Sequence, residues 1–202
     1  GGSDNSDDSA DGAIVNTDTE TREDGSTVDV TEIDIISEDR EEETGDPEQA
    51  DVPVVTEGDE RLLEVGLPTG SGMRIESEGT GTGANGLIQA IRQRTNGEGQ
   101  QEDQEELTGS GNNFLGDLPD PDNLVVRTLV PKVANNTPTA SPIKVSGTPA
   151  GSKPVAVVID TTELPTGQML ILDSVQFGAI IGEVIIIGGT GQNSLSGYGR
   201  VQ

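Results

Sequence analysis

Charge is spread so unevenly along these 202 residues that it limits which segments can collapse unaided. Residues 1–60 carry 22 Asp/Glu against two Arg, for a net of −20. Residues 61–123 carry 11 acids against four Arg, and residues 124–202 carry four acids against five Lys/Arg. The total is −26, and nearly every long aliphatic run lies in the last, almost neutral part. Like-charge repulsion with little apolar surface to offset it predicts an acidic arm over 1–60, disordered or extended in isolation. The expected fold class is all-β. A small β-sandwich or β-solenoid-like C-terminal domain over 119–202 follows the long, largely extended arm, with a Gly-rich linker over 61–118 between them.

Within the arm, Ser26–Ser37 and Ala50–Thr56 alternate apolar with acidic or polar residues near the period of a strand. Their charge favours an extended, solvated state, from which they could add to the sheet edge of a neighbouring subunit. Gly66–Gly86 and Gly97–Asn113 read as linkers. Between them Asn85–Asn96 is the best helical pattern, with Leu87, Ile88 and Ile91 on one face and Gly97 as its stop. It supports at most one short helix, about 86–95. Pro119, Asp120, Pro121, Asp122 and Asn123 mark the border of the folded body.

Beyond the border, β-rich runs alternate with turn residues every 8 to 12 positions: Leu124–Val130, Ile143–Val145, Pro154–Asp160, Gln168–Asp173, Val175–Ile181 and Glu183–Ile187. The expected core and assembly residues are Val157, Ile159, Leu170, Leu172, Ile185 and Ile187. Five prolines between Pro131 and Pro154 predict edge strands or extended connectors early in this region. Leu-Pro-Thr-Gly occurs at Leu67–Gly70 and again at Leu164–Gly167, and the second copy has the composition of a turn.

The missing residue types narrow the chemistry. With no His and no Cys there is no imidazole or thiolate metal site, no Ser-His-Asp or Cys-His nucleophile and no disulfide. Oxygen ligands remain, and these suit hard cations such as Ca²⁺. Phe114, Phe177 and Tyr198 are the only aromatics, so Val, Ile and Leu must do the packing and a sugar-stacking platform is not available. A net charge of −26 argues against nucleic acid as a partner, because phosphate binding needs clustered Lys/Arg. No apolar run approaches the roughly 18 residues of a membrane helix, so no membrane span is expected. The chain starts at Gly1 without Met, which predicts a processed or engineered amino terminus.

Several oxygen-bearing groups are candidate cation ligands. Asp117, Asp120, Asp122 and Asn123 fall within seven residues, although the EF-hand pattern is not met. Asp160 and Glu163 flank a turn and are the nearest approach to a paired-carboxylate arrangement. Gly79–Gly83 follows no clear strand and lacks the Lys-Ser/Thr of a phosphate loop. Asn135-Asn136-Thr137 is a glycosylation sequon.

The most specific motif is Gly188-Gly189-Thr190-Gly191-Gln192-Asn193-Ser194-Leu195-Ser196. It fits Gly-Gly-x-Gly-x-Asp-x-apolar-x, with Asn193 in the Asp position. Glycines allow a tight turn whose carbonyls meet a cation, and the apolar residue enters the next strand. Residues 150–202 thus resemble the lead-in to the calcium-binding rolls of haemolysin-type (repeats-in-toxin) secreted proteins. The resemblance rests on one nonapeptide, and the next register fails at Tyr198. It implies secretion, Ca²⁺-dependent ordering and Asn193 as a ligand position, without catalysis.

Together these features predict a non-enzymatic, extracellular or cell-surface structural or adhesive protein. It would self-assemble through its β-rich body into a homo-oligomer or polymer, with Ca²⁺ as the associated cation and the acidic arm held by neighbouring subunits. A virion component (capsid decoration or fibre) and a non-catalytic segment of a large secreted toxin-like protein are the alternatives.

Overall fold

Aliphatic residues recur at the period of a strand well before the neutral region, and the chain pairs them internally. The computed structural model describes residues 8–41, 47–78, 83–147, 153–188, 195–197 and 200–201. The first half forms β1 (Asp8–Ala10), β2 (Ala13–Thr21), β3 (Thr27–Ile33), β4 (Gln49–Glu57), β5 (Glu60–Pro68) and β6 (Ser71–Glu78). Two helices follow, α1 (Gly83–Arg94) and α2 (Gln101–Asp117). The remainder is β7 (Val125–Val133), β8 (Ile143–Ser146), β9 (Val155–Asp160), β10 (Met169–Asp173), β11 (Phe177–Ile181), β12 (Ile185–Gly188), β13 (Leu195–Gly197) and β14 (Arg200–Val201).

Among the described residues these strands make two sheets. One has the order β1-β2-β3-β6-β7-β9-β11-β13, the other β14-β12-β10-β8-β5-β4. From β7 onward the chain switches sheet at every strand, and each strand lies parallel to the one two before it. Parallel neighbours need a crossover connection, and here the crossover is a strand of the opposite sheet. Register is strict: Ile143, Leu170 and Ile186 stand side by side across β8, β10 and β12. The earlier strands join antiparallel, with β2, β3, β6 and β7 extending one sheet and β4, β5 and β8 the other. Where the chain turns out of β8, Gly147 is required by crowding: a Cβ there would lie 2.3 Å from the Ser174 carbonyl oxygen.

Two apolar clusters give the molecule three layers. The first lies between the sheets and includes Ala13, Ile33, Val52, Leu63, Val65, Met73, Leu129, Val157, Leu170 and Ile186. The second lies between the eight-stranded sheet and the helices, with Leu87, Ile91, Leu107, Leu115, Val126, Val158 and Phe177. All six residues of β9 are buried. Val155, Val157 and Ile159 enter the first cluster, while Ala156 and Val158 enter the second. A strand covered on both faces reads as an unbroken apolar run, which Val155–Ile159 is. Phe114 of α2 stacks on Phe177 of β11, with ring centroids 4.9 Å apart.

The N-terminal region differs from the expectation of an extended, solvated arm. Residues 13–33 and 49–57 are paired strands, and the inter-sheet cluster runs from Ala13 to Ile186. Strand alternation together with ion pairing resolves the charge conflict. Ile33, Ala50, Val52 and Val55 turn inward between the sheets, whereas Val28 and Val30 are buried on the opposite face of β3, beside Glu78 and Glu76 of β6, and most carboxylates stay at the surface or meet arginines. Arg22 forks onto Glu78 at 2.5 and 2.8 Å, and Arg74 reaches Glu20 at 2.6 Å and Glu32 at 3.3 Å. Arg40 lies 3.4 Å from the buried Asp11 and donates to the Gln49 carbonyl at 2.7 Å.

The two expected linkers are also corrected. Gly66–Gly86 contains β6, whose Ser71, Gly72, Met73, Ile75 and Glu76 are buried. Gly97–Asn113 is mostly α2, so the described residues hold two α-helices rather than at most one. Glu102 and Asp103 complement the dipole in its first turn, and Leu107, Gly111 and Leu115 form its buried stripe. Gly111 lets the helices approach closely, since a Cβ there would lie 3.3 Å from the Ile88 and Ile91 methyls. The expected helix at 86–95 is α1, displaced slightly toward the amino terminus.

Candidate functional site

The residues expected to ligate a cation are spread over a surface corner. Asp117 ends α2, and Asp120 precedes a short 3-10 turn, Pro121–Asn123, that carries Asp122 and Asn123. All four are exposed, and no group of three or more carboxylates able to hold a metal ion occurs among the described residues. The turn is held by backbone bonds, with Asn123 N donating to Asp120 O and Leu124 N to Pro121 O. Asn193 lies outside the described residues. Asp160 and Glu163 do not share a site: Glu163 is exposed, whereas Asp160 accepts from Thr162 Oγ1 at 2.6 Å and from Arg94 Nη1 at 3.4 Å.

Arg94, the last residue of α1, instead brings two distant strands together. It donates to both carboxylate oxygens of Glu76 on β6 and to Asp160 on β9. Glu76 is 5 % exposed and Asp160 is 8 % exposed, so this cation ties the helix to a nearly buried acidic pair. At the more open edge of the same sheet, the hydrogen bond from Arg74 holds the Glu20 carboxyl below its ordinary pKa, and Arg74 is raised in return. The Arg22 guanidinium is raised chiefly by its hydrogen bonds to Glu78.

A cleft of about 510 Å³ opens between the two sheets at the end where β4, β5, β6 and β7 meet. Val55, Leu62 and Val125 supply apolar wall, and Arg127 and Lys153 supply cationic groups. Arg127 alternates along β7 with Val125 and Leu129, both packed with the inter-sheet cluster, so it shares their face. Its register neighbour on β9 is the fully buried Val157. Among the described residues its side chain makes a single hydrogen bond, from Nη1 to the Val126 carbonyl at 2.8 Å, and no ion pair. Desolvation lowers its pKa, opposed only weakly by Asp29. The three carboxylates of the lining differ: Glu57 is paired with Lys153 at 3.2 Å, Glu78 with Arg22, and Asp122 is exposed. The sequence reasoning missed Arg127. Its signal was a lone cation inside the apolar strand Val125–Val130.

The expected core residues divide between the inter-sheet core, which takes Val157 and Ile159 of the eight-stranded sheet with Leu170 and Leu172 of the six-stranded one, and the outer face of the six-stranded sheet, which takes Ile185 and Ile187. Val157, Ile159, Leu170 and Leu172 are fully buried. Ile185 and Ile187 are half-buried and point away from the core, whose residue on β12 is Ile186 at 1 % exposure. With Met169 and Ile171 of β10 they form an outward apolar square, Met169 beside Ile185 and Ile171 beside Ile187. Lys144 of β8 is the next neighbour of Ile171. The two helices cover the outer face of the other sheet and pack nothing onto this one. Among the described residues no helix is long and apolar enough to cross a membrane. Comparison with family models, with curated proteins and with solved structures finds no match to this chain.

Proposed function

We propose that this protein is an extracellular, non-catalytic structural or adhesive module that associates with copies of itself through its β body, with Ca²⁺ promoting the association. The observation that carries the reading is the outward square of Met169, Ile171, Ile185 and Ile187 on a sheet face that no described helix covers. Apolar side chains set in register on a flat sheet lose water most effectively against an equally flat sheet, and a second copy supplies one. Lys144 at its margin limits the repulsion that a strongly acidic partner would otherwise feel. The switching of strands between two parallel ladders supports a solenoid-like reading of residues 125–201. The nonapeptide Gly188–Ser196 begins at the last residue of β12 and ends within β13, and in the haemolysin-type rolls it resembles such a sequence holds the cation.

Sedimentation velocity across a concentration series, with and without millimolar Ca²⁺, tests the proposal. The native chain should assemble as concentration rises, more strongly with Ca²⁺ and reversibly on chelation. The double variant Ile185→Glu, Ile187→Glu should keep its circular dichroism and melting temperature but remain monomeric. A native chain that stays monomeric throughout, with or without Ca²⁺, removes the proposal.

A further inference from the structure

We infer that the inter-sheet cleft is a binding site for a small aliphatic monocarboxylate, with Arg127 as the group that holds the carboxylate. The inference is independent of the self-association argued above.

Three observations carry it. The first is shape: a cleft of about 510 Å³ falls within the usual range of roughly 300–1,000 Å³ for small-molecule sites. Val55, Leu62 and Val125 give it an apolar wall suited to a short hydrocarbon body. The second is the state of Arg127. A guanidinium carries five N–H donors, and this one places a single hydrogen bond, on the Val126 carbonyl, without an ion pair among the described residues. A cation set in an apolar strand beside Val157 is unfavourable unless something compensates it. In a chain with 37 acidic residues, leaving it without a carboxylate is a conspicuous choice. A carboxylate entering the cleft accepts two parallel N–H bonds from the planar fork, the geometry for which Arg is suited and Lys is not.

The third observation sets the ligand's charge. Glu57, Glu78 and Asp122 also line the cleft. Lys153 and Arg22 already neutralise the first two and Asp122 is exposed to solvent, so Arg127 is the cation of the lining that has no ion pair among the described residues. A singly charged carboxylate needs one such cation, whereas the second charge of a phosphate would meet the surrounding acids without compensation.

Hexanoate is the probe, added to the full chain, with inorganic phosphate as a comparison. The readouts are the Arg side-chain N–H resonances and the melting temperature. Hexanoate should perturb the Arg127 Nε–H saturably and raise the melting temperature, as any ligand of the native state does. Phosphate should do neither. Arg127→Gln should fold and melt no lower than the native chain, because it removes a desolvated, unpaired cation. It should bind hexanoate at least about tenfold more weakly, the loss expected when hydrogen bonds to a charged group are removed. Arg127→Lys, which keeps the charge and loses the fork, should fall between the two and serves as the second variant should the Gln form fold poorly. The inference is overturned by an absence of saturable hexanoate binding, by equal binding to the Gln or Lys form, or by phosphate binding as tightly as hexanoate.

Discussion

Replacing Arg94 by Met tests how the helical layer is fastened to the sheet. Arg94 is the only cation within 3.5 Å of Glu76 or Asp160 among the described residues, and it stands at the end of α1. Removing one partner of a buried ion pair costs about 3–5 kcal/mol, because a charge is left behind without compensation. Two features reduce that here. The Arg94 side chain is 24 % exposed, and the stranded acids keep other support, Arg74 at 4.0 Å from Glu76 and the Thr162 hydroxyl and amide on Asp160. A loss of about 2–3 kcal/mol is expected, a large part of the roughly 5–15 kcal/mol by which domains are stable. With a urea slope of about 2–3 kcal/mol/M, the midpoint should fall by about 1 M in an equilibrium titration. Adding Glu76→Gln should recover part of the loss, since the amide needs no counter-charge, and the double-mutant cycle isolates the pair. A single variant within about 0.5 kcal/mol of the native chain, the usual range for surface changes, refutes the reasoning.

The two faces of β12 should respond oppositely to charge: Ile186→Asp should abolish the folded circular-dichroism spectrum, while Ile187→Asp should leave it intact. Gly83→Ala should destabilise by about 1–3 kcal/mol in urea titration, because Gly83 has φ +68° and a Cβ there would lie 2.4 Å from the Pro121 carbonyl oxygen. The folded-state pKa of Glu20 is depressed, so its contribution is present at neutral pH and is lost as pH falls through that lowered value. Because the pair with Arg74 is largely exposed, Glu20→Gln should cost only a few tenths of a kcal/mol at pH 7, with the difference from the native chain vanishing in acid.

What could be read from the sequence follows the range of the interactions. The runs that became β9, β10, β11 and β12 were legible because an uninterrupted aliphatic strand carries its own signal. So was α1, through Leu87, Ile88 and Ile91 on one face. In β3 the alternation of Val28, Val30 and Ile33 was visible, but its pairing was not. That pairing depends on β6, some 40 to 50 residues away, and on Arg22 finding Glu78. Net charge counted over sixty residues hides an arrangement in which one set of aliphatics enters the inter-sheet core while the acids stay exposed or meet arginines such as Arg22 and Arg74. Helix α2 was hidden by Gly109, Gly111 and Gly116, each a poor helix former, whereas Leu107 and Leu115 gain their helical setting from the packed layer. The outward placement of Ile185 and Ile187 was a question of register, which shifts every side chain of a strand by one face and which composition does not report.

Amide hydrogen exchange read residue by residue puts the account's main claim, that residues 13–33 and 49–57 of the acidic region are structural members of the sheets, to its most direct test. The amides of Val28, Val30 and Val52 should exchange with protection comparable to those of Val157 and Ile159, all opening only with global unfolding. Free exchange over β2, β3 and β4 beside a protected β9 would contradict it.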